Sequence, residues 1–196
     1  MSVTVIPTLL GMGRWQPDAR ERMTRAAMEL FAERGFAQTT AGDIAERAGV
    51  TERTFFRYFT DKREVLFDGS PALTSAAHAA TLAAPPDASL LDAALAGMVA
   101  AAGLLEDHHE RAVRRSRLIA DNPTLQEREL LKMASLTEAT AEALRHRGGR
   151  EPAATLAAHS AVTVFQIAFG QWVSAERPGS LSSRIARTAS ELRAIT

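Results

Sequence analysis

Two arginines four residues apart, Arg53 and Arg57, stand in a short run that also holds Thr51, Thr54, Phe56, Tyr58 and Lys62. A guanidinium presents a rigid fork of N–H donors that fits the acceptors on a guanine edge, and a good bidentate pair is worth about 1–3 kcal/mol of discrimination. Hydroxyls and an ammonium at the margins of such a run bond phosphate oxygens instead, which sets register and carries no sequence information. On an arbitrary helix the same two arginines would be an ordinary solvated stripe, and Phe56 would be a core residue. The elements that hold the run decide between these readings.

Those elements are legible from Asp43 to Lys62, DIAERAGVTERTFFRYFTDK. Ile44, Ala45 and Ala48 make a compact apolar face, with Ala45 small enough for a crossing helix to approach. Gly49 follows where a helix end needs a left-handed backbone, which glycine adopts without a Cβ clash. Thr51 is a cap for the next helix, and Val50 just before it is placed to pack on Phe55 as a hydrophobic staple. Phe55 and Phe59 then share an inward face, which turns Arg53 and Arg57 outward on the other side. Two short helices around a tight turn predict a helix-turn-helix whose second helix enters the DNA major groove.

Upstream, Met23, Ala27, Leu30 and Phe31 repeat at helical spacing and predict a helix from about Ala19 to Arg34, closed by Gly35. Asp18 and Glu21 have the spacing of a capping box at its start. Residues 1–18 hold a short apolar run broken by Pro7 and Gly11, too short for a bilayer and without the basic start of a signal peptide. They read as a flexible arm. Arg14 on that arm is a candidate contact to a phosphate or the minor groove, against the plain alternative of a start that touches nothing.

Taken in order, these motifs resemble the N-terminal domain of the TetR family of bacterial transcriptional regulators. LFAERGF (Leu30 to Phe36) ends the first helix, Thr39 and Thr40 precede the second, DIAERAGVT carries the turn, TFFRYF is the recognition helix, and DKREVLF (Asp61 to Phe67) starts a fourth helix. The resemblance covers about residues 15 to 67. It implies DNA contacts at Thr40, Thr51, Arg53, Thr54, Phe56, Tyr58 and Lys62, to which the spacing adds Arg57. Gly42 departs from the pattern, because many members carry a basic or polar residue there. The RTFFRYF wording also resembles an actinobacterial subgroup in which some members respond to acyl-CoA-like or lipophilic compounds.

Composition bounds the rest. A chain of 196 residues with 46% hydrophobic content holds a real core. The absence of cysteine excludes disulfide scaffolds, thiolate metal sites and cysteine nucleophiles, and fits a reducing cytoplasm. Net charge is zero, so phosphate attraction must come from a local patch. Over residues 51–63, Arg53, Arg57, Lys62 and Arg63 stand against Glu52 and Asp61. A dimer doubles that patch.

The expected architecture is all-α, with an arm (1–18), a three-helix helix-turn-helix DNA-binding domain (19–67) and a helical ligand-binding and dimerisation domain (68–196). In the last, Gly69-Ser70-Pro71 breaks or kinks the fourth helix, and Pro85-Pro86, Asn122-Pro123, Gly148-Gly149 and Pro178-Gly179 punctuate the remainder. Leu91, Leu95, Met98, Ala102 and Leu105 form one helical stripe, and Leu130, Met133, Leu136, Thr140 and Leu144 another. The stretch from Pro152 to Ala175 is apolar around most of its circumference, so one side is expected to face the subunit core and the other a partner. The last helix offers Leu181, Ile185, Thr188, Leu192 and Ile195 as a seam. Two such pairs make a four-helix homodimer interface, which the family resemblance also implies.

The resemblance further implies a small-molecule effector, lipophilic in character, among the middle helices. Met98, Leu105, Leu118, Met133, Phe165, Phe169 and Trp172 are the apolar pocket candidates, with core packing as the competing reading for each. Arg117 and Gln166 are the polar ones. His108-His109-Glu110 is the one histidine-rich cluster, but adjacent helical residues diverge by about 100° and make a poor metal pair. His78, His146 and His159 are isolated, and no phosphate loop, zinc spacing or nucleophile motif occurs. No enzyme activity, metal, cofactor or membrane partner is expected. The partners expected are a double-stranded operator, a second copy of the chain and a small effector; a non-inducible DNA-binding dimer whose C-terminal domain serves protein contacts is the alternative.

Overall fold

Helix α1 (Ala19–Arg34) spans the interval its apolar face predicts, with Met23, Ala26, Ala27, Leu30 and Phe31 buried. A computed structural model of the chain describes residues 18–195, so Arg14 and the expected arm contact lie outside the described residues. The capping box expected at Asp18 does not form: Asp18 makes no side-chain cap, and Glu21 pairs with Arg25 one turn on at 3.2 Å. A capping box stands at α2 (Ala41–Arg47) instead. There the Thr40 hydroxyl accepts from the Asp43 amide at 3.0 Å while the Asp43 carboxylate accepts from the Thr40 amide at 2.8 Å.

Gly49 takes φ +67° between α2 and α3 (Glu52–Tyr58), the left-handed conformation that the tight turn demands. The Thr51 hydroxyl then accepts from the Thr54 amide at 3.1 Å and caps α3. After α3 the expected fourth helix at Asp61 is replaced by a 3-10 turn, Glu64–Phe67. The Asp61 carboxylate folds forward onto the Arg63 amide at 2.7 Å and onto its guanidinium, which makes a local turn before any helix can start. Helix α4 (Ser70–Ala83) opens only afterwards, with Pro71 in its first turn, where a missing N–H costs nothing. Gly69-Ser70-Pro71 therefore starts this helix and does not kink it.

Five more helices complete the described residues: α5 (Leu90–Glu106), α6 (His109–Ala120), α7 (Pro123–His146), α8 (Ala153–Val173) and α9 (Leu181–Ile195). No strand occurs among them. Helices α4 and α5 cross closely at Gly97, where a Cβ would lie 2.3 Å from the Thr81 hydroxyl oxygen and 2.6 Å from the Ala77 carbonyl oxygen. Helix α8 has the length and hydropathy of a bilayer span. It serves here as a core helix, packed against α5, α6, α7 and α9 with Val162, Val164, Phe165 and Trp172 inside.

Two hydrophobic clusters result, and the N-terminal one draws in residues from beyond the expected domain of residues 19–67. The N-terminal cluster takes in Phe55, Phe59, Val65 and Phe67, and also Ile119 of α6 and Leu125 of α7. The N-terminal helices thus share one core with the end of α6 and the start of α7. Of the seam expected on α9, Leu181, Ile185 and Thr188 are buried in the subunit, because α9 has the C-terminal core beside it, while Leu192 is half-buried and Ile195 is exposed.

Candidate nucleic-acid interface

The inner face of α3 is fixed by aromatic packing. Phe55 and Phe59 are fully buried, with ring centroids 5.4 Å apart. Burial of two aromatic side chains on one side leaves the helix a single rotation about its axis. Arg53 and Arg57 consequently point into solvent, and Phe56 is 51% exposed with its ring edge-on to Phe55. An exposed phenylalanine of that size excludes core packing for Phe56.

The ion pairs of this domain leave both arginines out, and Arg22 is held by the Ala48 carbonyl at 3.0 Å. Arg20 pairs with Asp68, Arg25 with Glu21, Arg34 with Asp43, Arg47 with Glu33 and Glu29, and Arg63 with Asp61. Arg53 and Arg57 make no ion pair among the described residues; Arg57 has only the Tyr58 ring, 5.2 Å from its guanidinium carbon. Their forks are free to bond an outside acceptor. Arg63 is held by Asp61 at 2.7 Å, so the arginines of the patch without an ion pair among the described residues are Arg53 and Arg57.

The hydroxyls beside them are partly committed. Thr40 holds the α2 capping box, and its hydroxyl also lies 2.7 Å from Asp43 Oδ2. Thr51 and Thr54 share a hydroxyl contact of 2.9 Å, which occupies one of their two hydroxyl protons and leaves the other for an outside acceptor. Lys62 departs from the role expected of it. Its ammonium donates to the carbonyls of Phe36 at 2.7 Å, Ala37 at 3.3 Å and Thr39 at 2.7 Å, which uses all three donors inside the subunit. Burial pulls its pKa below the ordinary lysine range. At Gly42 a Cβ would meet only ordinary contacts, 3.6 Å from Glu52 Oε2 and from Thr40 Oγ1, so sterics do not require glycine there; its effect is a missing donor.

A cavity of about 540 Å³, within the range typical of small-molecule sites, lies between α4, α5, α6, α7 and α8. Of the residues expected to line a pocket, Leu105, Met133, Phe165, Gln166 and Phe169 do so. Met98 and Trp172 are buried in the core; the Trp172 indole donates to the Gly179 carbonyl at 3.1 Å. Leu118 packs on the N-terminal cluster. Arg117 is exposed, away from the cavity.

Arg115 takes the place expected of Arg117. It lines the cavity, donates to the Leu66 carbonyl at 2.8 Å and to Glu129 at 3.0 Å, and lies 4.8 Å from the centroid of the Phe67 ring. Burial lowers its pKa, against the opposing pull of Glu129. Helical spacing held the signal: Ala112 and Ile119, seven apart, define the inner face of α6, and Arg115 falls between them while Arg117 falls outside. Of the two adjacent histidines, His108 is exposed and His109 is half-buried. His108 lines the cavity, and His109 lies 3.1 Å from the Trp172 carbonyl oxygen with its ring edge-on to the indole.

A second polar junction joins the two clusters. Glu64 in the 3-10 turn accepts from Arg128 and, at 3.0 Å, from Lys132, both on α7. Burial pushes the Glu64 pKa up, but these two cations outweigh it and the net position is lowered.

The match to known proteins follows the same two-part division. Residues 24–68 match the family model described as "Bacterial regulatory proteins, tetR family", and residues 88–195 match that of the MftR C-terminal domain. The chain is 30% identical over 143 residues to the putative mycofactocin biosynthesis transcriptional regulator MftR of Mycobacterium tuberculosis, covering 70% of each chain. It is 36% identical over 88 residues to the regulator TcmR of Streptomyces glaucescens, covering 45% of this chain and 39% of that one. In fold it is similar to Thermus thermophilus FadR, a TetR-family repressor solved with lauroyl-CoA, at TM-score 0.57 and 23% identity over 89% of this chain and 93% of the other. Family models covering both the reading head and the helical domain carry the conclusion: the chain belongs to the TetR family of transcriptional regulators and is not an enzyme.

Proposed function

We propose that the protein is a homodimeric cytoplasmic repressor that binds a near-palindromic operator and is released by a small lipophilic ligand. The observation that carries the DNA contact is the pair Arg53 and Arg57, outward and without ion pairs on a helix whose other face is locked by Phe55 and Phe59. In this reading the two arginines and Phe56 meet base edges, while Thr40, Thr51, Thr54 and Tyr58 meet phosphates or flanking bases. Lys62 braces the α1–α2 turn that presents them.

Two recognition helices about 34–36 Å apart read successive major grooves, which requires a dimer. Leu156, Thr163, Ile167 and Gly170 form an outward line on α8, and Leu156 and Ile167 are 62% and 49% exposed. That line is the proposed partner face. Ligand release rests on the cavity, whose walls include Val65 and Leu66 beside the reading head. The FadR neighbour holds an acyl-CoA, which supports a lipophilic occupant.

The test is a gel shift on the DNA upstream of the protein's own gene, followed by a screen of lipophilic metabolites for release. Specific binding lost on ligand addition is the expected result. Specific binding that no ligand relieves would favour a non-inducible dimer, and no specific binding at low salt would overturn the whole reading.

A further inference from the structure

The cavity wall carries an uneven charge. Arg111 and Arg115 reach it from α6, and the one carboxylate on the wall is Glu129 of α7. Glu129 is bonded to Arg115; Arg111 makes no ion pair among the described residues and lies close enough to Arg115 to lower its pKa. Met133, Phe165 and Phe169 supply apolar wall to the same cavity. A site with two cations, one of them unneutralised, beside aromatic and thioether surface matches a molecule with an acidic head and a hydrocarbon body.

Arg115 also has a second attachment, outside the regulatory helices. Its Nε donates to the carbonyl of Leu66 and its guanidinium plane covers Phe67, both in the 3-10 turn that closes the N-terminal cluster. One side chain thus lines the ligand cavity and holds the reading head. A carboxylate or phosphate oxygen is a stronger acceptor than a neutral amide carbonyl, with hydrogen bonds roughly twice as strong.

Resting on the effector reading of this cavity, we propose that it takes an amphipathic anion, and that the head signals to the DNA-binding domain by drawing Arg115 off the Leu66 carbonyl. Arg111 supplies the uncommitted charge that attracts the head. Arg115 is the positioning residue that converts occupancy into a looser junction at the 3-10 turn. Coupling of this kind is reciprocal, so operator binding weakens the affinity for the anion by the factor that the anion weakens operator binding.

Chain-matched probes test this: laurate, used below its micelle concentration, and uncharged 1-dodecanol. Binding is followed by calorimetry and operator release by fluorescence anisotropy, on the full-length wild type, Arg111→Gln and Arg115→Lys. The expected result is laurate binding at least about tenfold tighter than dodecanol in the wild type, with most of that preference lost in Arg111→Gln. In Arg115→Lys, which keeps the charge and loses the fork, laurate still binds but no longer shifts operator affinity. Equal binding and equal release by the two probes would overturn the anionic-head proposal while leaving the effector reading intact. Failure of both probes to bind would overturn both. Should Arg115→Lys not fold, the laurate preference and its loss in Arg111→Gln decide the anionic head, and amide hydrogen exchange at residues 64–67 of the wild type decides the relay: faster exchange with laurate is expected, and unchanged exchange would overturn it.

Discussion

The Lys62 ammonium lies 2.7 Å from the carbonyl oxygen of Phe36 and 4.4 Å from the centroid of the Phe36 ring. A residue at the edge of the proposed DNA-facing surface thereby ties the chain after α3 to the loop that follows α1. With Ala37 and Thr39 also accepting, the lysine satisfies carbonyls of the loop between α1 and α2.

Replacement of Lys62 by methionine keeps the aliphatic stem and removes the donors. The expected outcome is a loss of about 1–3 kcal/mol of stability, since hydrogen bonds from a charged donor are lost. Urea unfolding checks it. The salt slope of operator binding is expected to fall by less than one phosphate's share, about 0.9; an unchanged midpoint with a full drop in slope would return Lys62 to the phosphate-contacting set.

Arg53→Ala and Arg57→Ala are expected to separate affinity from stability. Neither arginine holds another element, so unfolding should shift by no more than about 0.5 kcal/mol. Operator affinity should fall by about 1–3 kcal/mol each while binding to scrambled DNA falls much less. Anisotropy titrations on the two DNAs measure the difference; equal losses on both would show that the arginines contact phosphates and read no bases.

Glu64 makes the α7 junction sensitive to acid. Its carboxyl pKa is held below the ordinary glutamate value of 4.5, because Arg128 and Lys132 outweigh burial. A folded value below the unfolded one means that the contribution is fully present above about pH 4.5 and is lost as pH falls through the lowered folded value. At pH 7, Glu64→Gln should cost on the order of 1–2 kcal/mol. The gap between wild type and variant should narrow as pH falls below about 4.5, as read by thermal unfolding of both; a gap independent of pH would sink the assignment.

The outward line of α8 predicts an oligomeric effect. Ile167→Glu places a charge where the proposed dimer buries an apolar side chain, which costs several kcal/mol when unpaired. Sedimentation equilibrium should show dissociation to monomers with helicity retained, and operator binding should weaken with it. A stable dimer in this variant would move the interface elsewhere.

The amino-acid sequence by itself determined what depends on neighbours along the chain. The Gly49 turn, the Thr51 cap and the outward direction of Arg53 and Arg57 all follow from residues within one or two helical turns, where periodicity and backbone sterics decide. The limits of α1 were legible for the same reason. Tertiary structure decided whatever required knowing which element lies opposite. Helical spacing puts Arg115 on the inner face of α6 and Arg117 off it, but only the packing of α6 on the 3-10 turn and α7 gives Arg115 its partners Leu66, Phe67 and Glu129. Lys62 found its partners 23 to 26 residues away, across a turn whose carbonyls no local pattern marks. On α9, Leu181 and Ile185 turned inward because the subunit core was there to cover them. Local sterics write the helices and their caps; the choice of partner for each exposed charge or apolar face is made only when distant segments meet and compete to desolvate it.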